Sequence, residues 1–524
     1  MTPMRPFDQL ILEQLMQQLR RSMRGLLLDL CRDFGSSYAG DARRLGLPVE
    51  WFQELAGELP LNSFSHWKVV GWIESLNDLL YFVDVLAQVR RERDRGEIAA
   101  QLHVEFREKF YENSYADEVF PKGRPEPRRL LPRLDALCRR LARETTQESV
   151  WMAPEAACRW VAARGGRTWR VPCDFSANME QVELPCTPTV GTQGRSYGLA
   201  RPLRQVLTRV GLQGELMVRP SRIDVSVRAQ SRLILDAGSP PRWSAGLHEP
   251  VILRQTRYGG LVLGPTLVYD RHRSPTAVRP SPSSAASRIR SALHAIETAW
   301  PQGNDWLALL TSQICPLRAK GIVSFSYRHR PGLSVINCFD RDNLDLIDDL
   351  IHENSHHHLN LLLRKYVMYG GDSNQEIFYS PWRRSLRPIR GILHATFTFT
   401  MGALLFERLS SWAETSAGRT GWKAAGLTAR DLRRARFRCF EEIESVRYSL
   451  QDLAYAARHL KWLTASGRQL ADQLGVALEA AERRIAPYRT AVMKSEFGPD
   501  LRRHMKELER ARHTFGPMGM GKVK

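Results

Sequence analysis

One string constrains this chain more than any other: His352-Glu353-Asn354-Ser355-His356, an H-E-x-x-H motif. Around it apolar residues recur at Leu346, Ile347, Leu350, Ile351, Leu359, Leu361 and Leu362, which is the spacing of a helix and not of a strand. Residues four apart on a helix lie one above the other on a single face. His352 and His356 are thereby aimed at one point, the arrangement from which a divalent metal takes its first two ligands. Asp342 or Asn343 is expected to cap the helix. Asp345 and Asp349 fall on or near the ligand face, where either is expected to accept the second ring N–H of a bound histidine. A solvated helix carrying a histidine run is the bland alternative, and the helical context of the motif argues against it. His357 and His358 point elsewhere on the helix, and His358 is expected to be packed in the core.

A chain of 524 residues is too long for one ordinary core. Its 43% hydrophobic and 25% charged residues describe a globular protein. No apolar run reaches membrane-spanning length, and the N-terminus lacks the apolar core of a signal peptide, so the reading is cytoplasmic with no membrane span. Eight cysteines (Cys31, Cys138, Cys158, Cys173, Cys186, Cys315, Cys338, Cys439) are scattered without a C-x-x-C pair. They read as reduced structural thiols, not a zinc cluster or a disulfide framework. Lys and Arg at 76 against Asp and Glu at 56 leave a net charge of +20, mostly arginine and spread along the chain. Such a charge permits an acidic partner, but no nucleic-acid motif accompanies it and no nucleic-acid partner is expected. Oligomeric state is left open.

The expected fold is α+β and mainly α-helical, with a metal-binding helix domain that follows a β-hairpin and a separate β-rich segment. Residues 1–166 read as a helical N-terminal region, with stripes such as Leu12, Leu15, Leu19, Met23 and Leu27. Residues 167–280 show short alternating runs between turn-formers and read as β-rich. Residues 281–470 carry the motif, and 471–524 read as a helical extension with a tail. Within the motif domain, 289–300 and 306–315 read as helices, with Pro301 closing the first. Residues 321–327 and 333–337 read as the two strands of the hairpin, turning at Arg330-Pro331-Gly332. An arginine-rich, proline-stiffened stretch runs from Tyr379 to His394, and a mostly apolar helix is expected over 395–412.

A catalytic metal needs a third protein ligand and an open position. His394, Glu376, Glu407 and Glu441 are the downstream candidates. The order strand–turn–strand, H-E-x-x-H helix, Ser380-Pro381-Trp382-Arg383, Arg387-Pro388 and Gly391-Ile392-Leu393-His394 resembles the HEXXH-motif proteins of bacterial peptide-modification clusters. That family is grouped as 2-oxoglutarate-dependent peptide β-hydroxylases using non-haem iron, and the resemblance covers residues 285–412. It implies Fe(II) and 2-oxoglutarate as cofactors, a ribosomally made precursor peptide as substrate, and His352, His356 and His394 as iron ligands. It also implies Arg383 or Arg387 on the distal carboxylate of 2-oxoglutarate. The chemistry agrees, since a keto acid needs two open metal positions and a guanidinium for its far end. One departure is the ligand set: a facial triad normally includes a carboxylate, which leaves Glu353 or a downstream acid as an alternative to one histidine.

Taken without the resemblance, the residues support a second chemistry. A zinc metallopeptidase would hold Zn²⁺ on His352, His356 and a third residue, with Glu353 as the general base that deprotonates the bound water. A third reading is non-enzymatic, with the metal a structural element of a peptide-binding scaffold.

Overall fold

The computed structural model describes residues 5–516 except 93, 111–114, 175–182, 185–196, 199–212, 228–229, 238–241, 244–250, 265–266, 269–275 and 278–282. The protein is 69% helical with a few small sheets, the mainly helical α+β class expected. It forms two compact units, one of Met1–Gln18, Val251–Arg271 and Pro280–Lys524, the other of Leu19–Pro250 and His272–Arg279. This partition differs from the four segments drawn from composition. Residues 251–271 and 471–524 both belong with the unit that carries the motif.

In the second unit, helices Trp67–Arg91 and Pro127–Met152 pack side by side. Their contact is pinned by the Trp72 indole N–H, which donates to Thr145 O at 2.7 Å. Trp51 Nε1 donates to Ser149 Oγ at 2.8 Å. Buried indoles need such partners, because an unpaired N–H loses its hydration without compensation. The alternating runs form an antiparallel meander of Trp169–Asp174, Gln213–Arg219, Arg222–Val227, Gln230–Asp236 and Arg242–Trp243, in the order first, second, third, fourth, fifth. Leu216, Val218, Ile223, Val225 and Leu235 are buried, as period-two patterning requires of a sheet with one face on a core.

In the motif unit, helices Ser283–Ala299 and Pro301–Leu310 precede a strand, Gln313–Arg318. Two expectations are corrected here. Pro301 opens the second helix, where its missing N–H costs nothing, instead of closing the first. Residues 306–315 are not one helix, because the helix ends at Leu310 and the strand starts at Gln313. That strand runs parallel to Gly259–Leu263 and Leu267–Val268 and to Leu333–Asn337. Its residues 313–317 are all buried. A parallel strand covered on both faces is apolar throughout, so it carries no period to distinguish it from a buried helical turn. The expected hairpin is present, but its first strand, antiparallel to Leu333–Asn337, is only Phe325–Ser326 and not 321–327.

Among the helices that follow, the four longest are the motif helix Asn343–Lys365, then Ile389–Glu414, Ala429–Tyr455 and Ala465–Ile485. Helix Ile389–Glu414 packs against the other three. Small residues bring it close: a Cβ on Gly402 would lie 3.8 Å from Asp348 Oδ1, and Cys439 Sγ reaches Ala403 O at 3.4 Å. Among the described residues this is the one helix long and apolar enough to cross a membrane, an exception to the sequence reading that no run is. It is 72% buried over its most apolar window, as a helix apolar on all sides is when it fills a core. Cys31, Cys138, Cys158, Cys315, Cys338 and Cys439 are buried and free, whereas Cys186 lies outside the described residues.

Candidate metal centre

Asp342 is the cap of the motif helix, its carboxylate accepting from Asp345 N at 2.9 Å. Asn343 instead ties the helix start to its neighbours, accepting from Arg288 Nε at 3.1 Å and donating to Ala425 O at 3.2 Å. The helix then carries its histidines inward in two directions. His357 and His358 are structural. His357 Nδ1 accepts from Gly332 N at 3.3 Å, and its Nε2 meets Ser334 Oγ at 3.2 Å, which fastens the hairpin to the helix. His358, fully buried as expected of it, donates to Pro6 O at 2.7 Å and lies edge-on to Trp306 and Phe397.

His352 and His356 face the other way, toward helix Ile389–Glu414. Their ring centroids are 4.9 Å apart. One nitrogen of each and a carboxylate oxygen of Glu353 all lie within 4.8 Å of one another. His394 meets one of these two histidines, His356, while the close donor group among the described residues is His352, Glu353 and His356. Helix Ile389–Glu414 starts six residues earlier than the expected 395, capped by Pro388, so His394 sits inside its second turn instead of at the end of a loop. From there its Nε2 lies 2.6 Å from His356 Nδ1. The other downstream acids are held elsewhere. Glu407 is fully buried against Arg484, at 2.9 Å, and Glu441 pairs with Arg438 at 3.3 Å. Glu376 is exposed in the turn before Phe378–Ser380.

Burial holds the His352 imidazole down to about 4, helped by the charges of Arg438 and Arg383. His356 is pushed well below the ordinary range by burial and then by His394 and His352 beside it. At neutral pH both rings are therefore uncharged, with lone pairs to offer. Two imidazoles and a carboxyl, the group His352, His356 and Glu353, suit Zn²⁺ or Fe²⁺ better than Ca²⁺ or Mg²⁺. The residues present fit a transition metal.

Glu353 is 2% exposed, and its Oε2 has no hydrogen-bond partner among the described residues. Burial pushes its carboxyl up to about 8; Ser326 opposes this, and Asp349 and Asp348 add to it. An orphaned oxygen in this position suits a group that binds between it and the histidines. Asp345 and Asp349 do not take the role expected of them. Asp349 accepts from Ser324 Oγ at 2.5 Å and faces Arg341 at 3.4 Å, while Asp345 lies 3.8 Å from Arg434. Ser324 itself accepts from Asn337 N at 3.0 Å, so Asp349 is used to hold the loop before the hairpin.

The arginine-rich stretch is a short antiparallel ribbon, Phe378–Ser380 with Ser385–Arg387, closed by residues 381–384. Arg383 lies in that turn, exposed, and its charge is felt at both His352 and His356. Arg387 is also exposed, and a Cβ on Gly391 would lie 3.4 Å from its Nε. Two aromatic rings given no site role in the sequence reading link the turn to the histidines: Trp382, within the turn, and Phe399. Trp382 stacks on Phe399 with centroids 4.3 Å apart and planes 5° from parallel, and Phe399 meets His352 at 5.1 Å. Phe399 lies five residues beyond His394 on the same helix, which was the one signal pointing to it.

No family model matches the chain, and no curated protein matches it.

Proposed function

We propose that the chain is a non-haem Fe(II), 2-oxoglutarate-dependent oxygenase that hydroxylates a side-chain β-carbon of a ribosomally made precursor peptide. The observation that carries this reading is the meeting of His394 with His356, at 2.6 Å, across 38 residues of sequence. His394 would add a third imidazole to those of His352 and His356 on the motif helix. His352, His356 and His394 would hold the metal and leave positions for the two oxygens of the keto acid. Arg383 would take the distal carboxylate, where a guanidinium gives a charge-assisted, bidentate contact. The Phe399 and Trp382 rings would shield the histidine side from water, which strengthens each charged contact inside. Bound iron would supply the oxygen chemistry: substrate C–H, 2-oxoglutarate and O₂ become C–OH, succinate and CO₂.

A second reading, a zinc metallopeptidase, is favoured by Glu353. Its buried carboxyl stands beside both histidines, where the base that takes a proton from a metal-bound water must stand. Anaerobic loading with Fe(II) and 2-oxoglutarate, then exposure to O₂, distinguishes the two. Release of succinate supports the oxygenase. No succinate with iron, together with peptide cleavage by the zinc-loaded protein, would reverse the assignment.

A further inference from the structure

We infer that Trp382 is a positioning residue for Arg383, held in that role by the buried carboxylate of Glu442 on a different helix. The inference rests on the reading of Arg383 as the 2-oxoglutarate clamp. Arg383 is exposed and lies in a four-residue turn. A long side chain on a surface turn has many rotamers, and ordering it for one ligand costs free energy at the moment of binding. A clamp on such a turn needs something to hold the turn itself.

Trp382, the residue before Arg383, supplies that hold at two ends. Its indole face stacks on Phe399, within helix Ile389–Glu414. Its Nε1–H donates to Glu442 Oε2 at 2.9 Å, within helix Ala429–Tyr455. Glu442 is 3% exposed and is itself fixed, because Arg438 Nη2 donates to its other oxygen at 3.0 Å. Arg438 also reaches Asp348 at 3.3 Å, on the motif helix four residues before His352. The turn that carries Arg383 is thus anchored through one indole to the helices that carry His394 and, by way of Arg438, His352. Two further features shape the turn: Arg384 N donates to Ser380 O at 2.8 Å, and Arg384 takes the left-handed φ of 51°. Both close the ribbon on itself. Of these contacts, the Trp382 pair is the one that ties the turn's direction to the histidines.

The test uses the full-length protein loaded with Mn(II), which binds without turnover, and measures 2-oxoglutarate binding by titration calorimetry. Trp382→Phe keeps a stacking ring and loses the N–H. It is expected to raise the Kd for 2-oxoglutarate about tenfold, the scale of one hydrogen bond to a charged group. Mn(II) affinity should stay within about twofold, because no donor is touched. In an Arg383→Met background the same Trp382 change should have no further effect, since there is no guanidinium left to place. Glu442→Gln puts an NH₂ in place of one of the two oxygens that accept from Trp382 and Arg438, and is expected to move Kd in the same direction by a smaller factor. If Trp382→Phe and Glu442→Gln bind 2-oxoglutarate like the wild type while Arg383→Met does not, the positioning role is overturned and the clamp stands. If the Mn(II)-loaded wild type binds no 2-oxoglutarate, the clamp is overturned, and the positioning role with it.

Discussion

Loading the chain with a divalent cation is expected to raise its thermal midpoint, by an amount that mass action sets. A ligand that binds only the folded form, at a free concentration of about 100 times its Kd, adds about 2.7 kcal/mol. In folded units of a few hundred residues each kcal/mol moves the midpoint by about 2–4 °C, so the rise is roughly 5–10 °C. Removal of one imidazole donor lowers that figure steeply. A hundredfold loss of affinity leaves the protein at its Kd under the same conditions, with about 0.4 kcal/mol of stabilisation and a rise of about 1 °C. This is the result expected for His352→Ala, His356→Ala and His394→Ala alike.

His357→Ala is the control that separates a ligand from a packed histidine. Its loss leaves Gly332 N and Ser334 Oγ without their buried partner, at a cost of about 1–3 kcal/mol. The midpoint should fall without metal, yet the metal-dependent rise should persist. Differential scanning calorimetry on the apoprotein, with Zn(II), Mn(II) or anaerobic Fe(II) added, reads both quantities. A full-sized rise in His394→Ala would refute the third ligand. A wild type unmoved by every cation would refute the metal centre.

Three further outcomes are expected. Glu353→Gln should abolish zinc-dependent peptide cleavage if the second reading holds, while iron-dependent succinate release should survive it; loss of succinate release would give Glu353 a part in the oxidative chemistry. Arg438→Met strips the partner from Asp348 and Glu442 and should cost about 3 kcal/mol or somewhat less, given a guanidinium 27% exposed; a urea midpoint that does not move would contradict the network. The third concerns His66 in the other unit, which burial holds down to about 3 from an ordinary 6.5. Below pH 6.5 the unfolded chain takes up a proton that the folded chain refuses, so stability should fall as pH drops from 6.5 toward 3, by up to about 1.4 kcal/mol per pH unit. His66 Nδ1 caps helix Trp67–Arg91 by accepting from Lys68 N at 3.3 Å, so His66→Asn should keep a cap and lose this part of the slope. A wild type and variant with the same pH profile would remove His66 from the acid sensitivity.

Much of the motif helix was legible because its determinants are local. The cap at Asp342, the apolar period and the i, i+4 histidines each depend on residues within a few turns, and the helix forms where they place it. The hairpin before it was legible from turn chemistry at Arg330-Pro331-Gly332. The strand Gln313–Arg318 was not, since burial on both faces erases the alternation that marks a strand. Asp349 illustrates a different failure. Spacing put it on the ligand face, but a hydroxyl from residue 324 claimed it.

From sequence alone follow two imidazoles on one helix face, a carboxyl beside them, and an arginine-rich stretch downstream. Which distant residues join them was decided by tertiary packing. The residues alone left His394, Glu376, Glu407 and Glu441 open, with His394 favoured only by the resemblance, and the crossing of two helices at Gly402 and Asp348 accompanies His394 to His356 and leaves Glu407 with Arg484. The same packing brings Glu442 to Trp382 across 60 residues. Helical periodicity reports which face of an element is buried, but not which neighbour will cover it, and a site built from three elements depends on the neighbours.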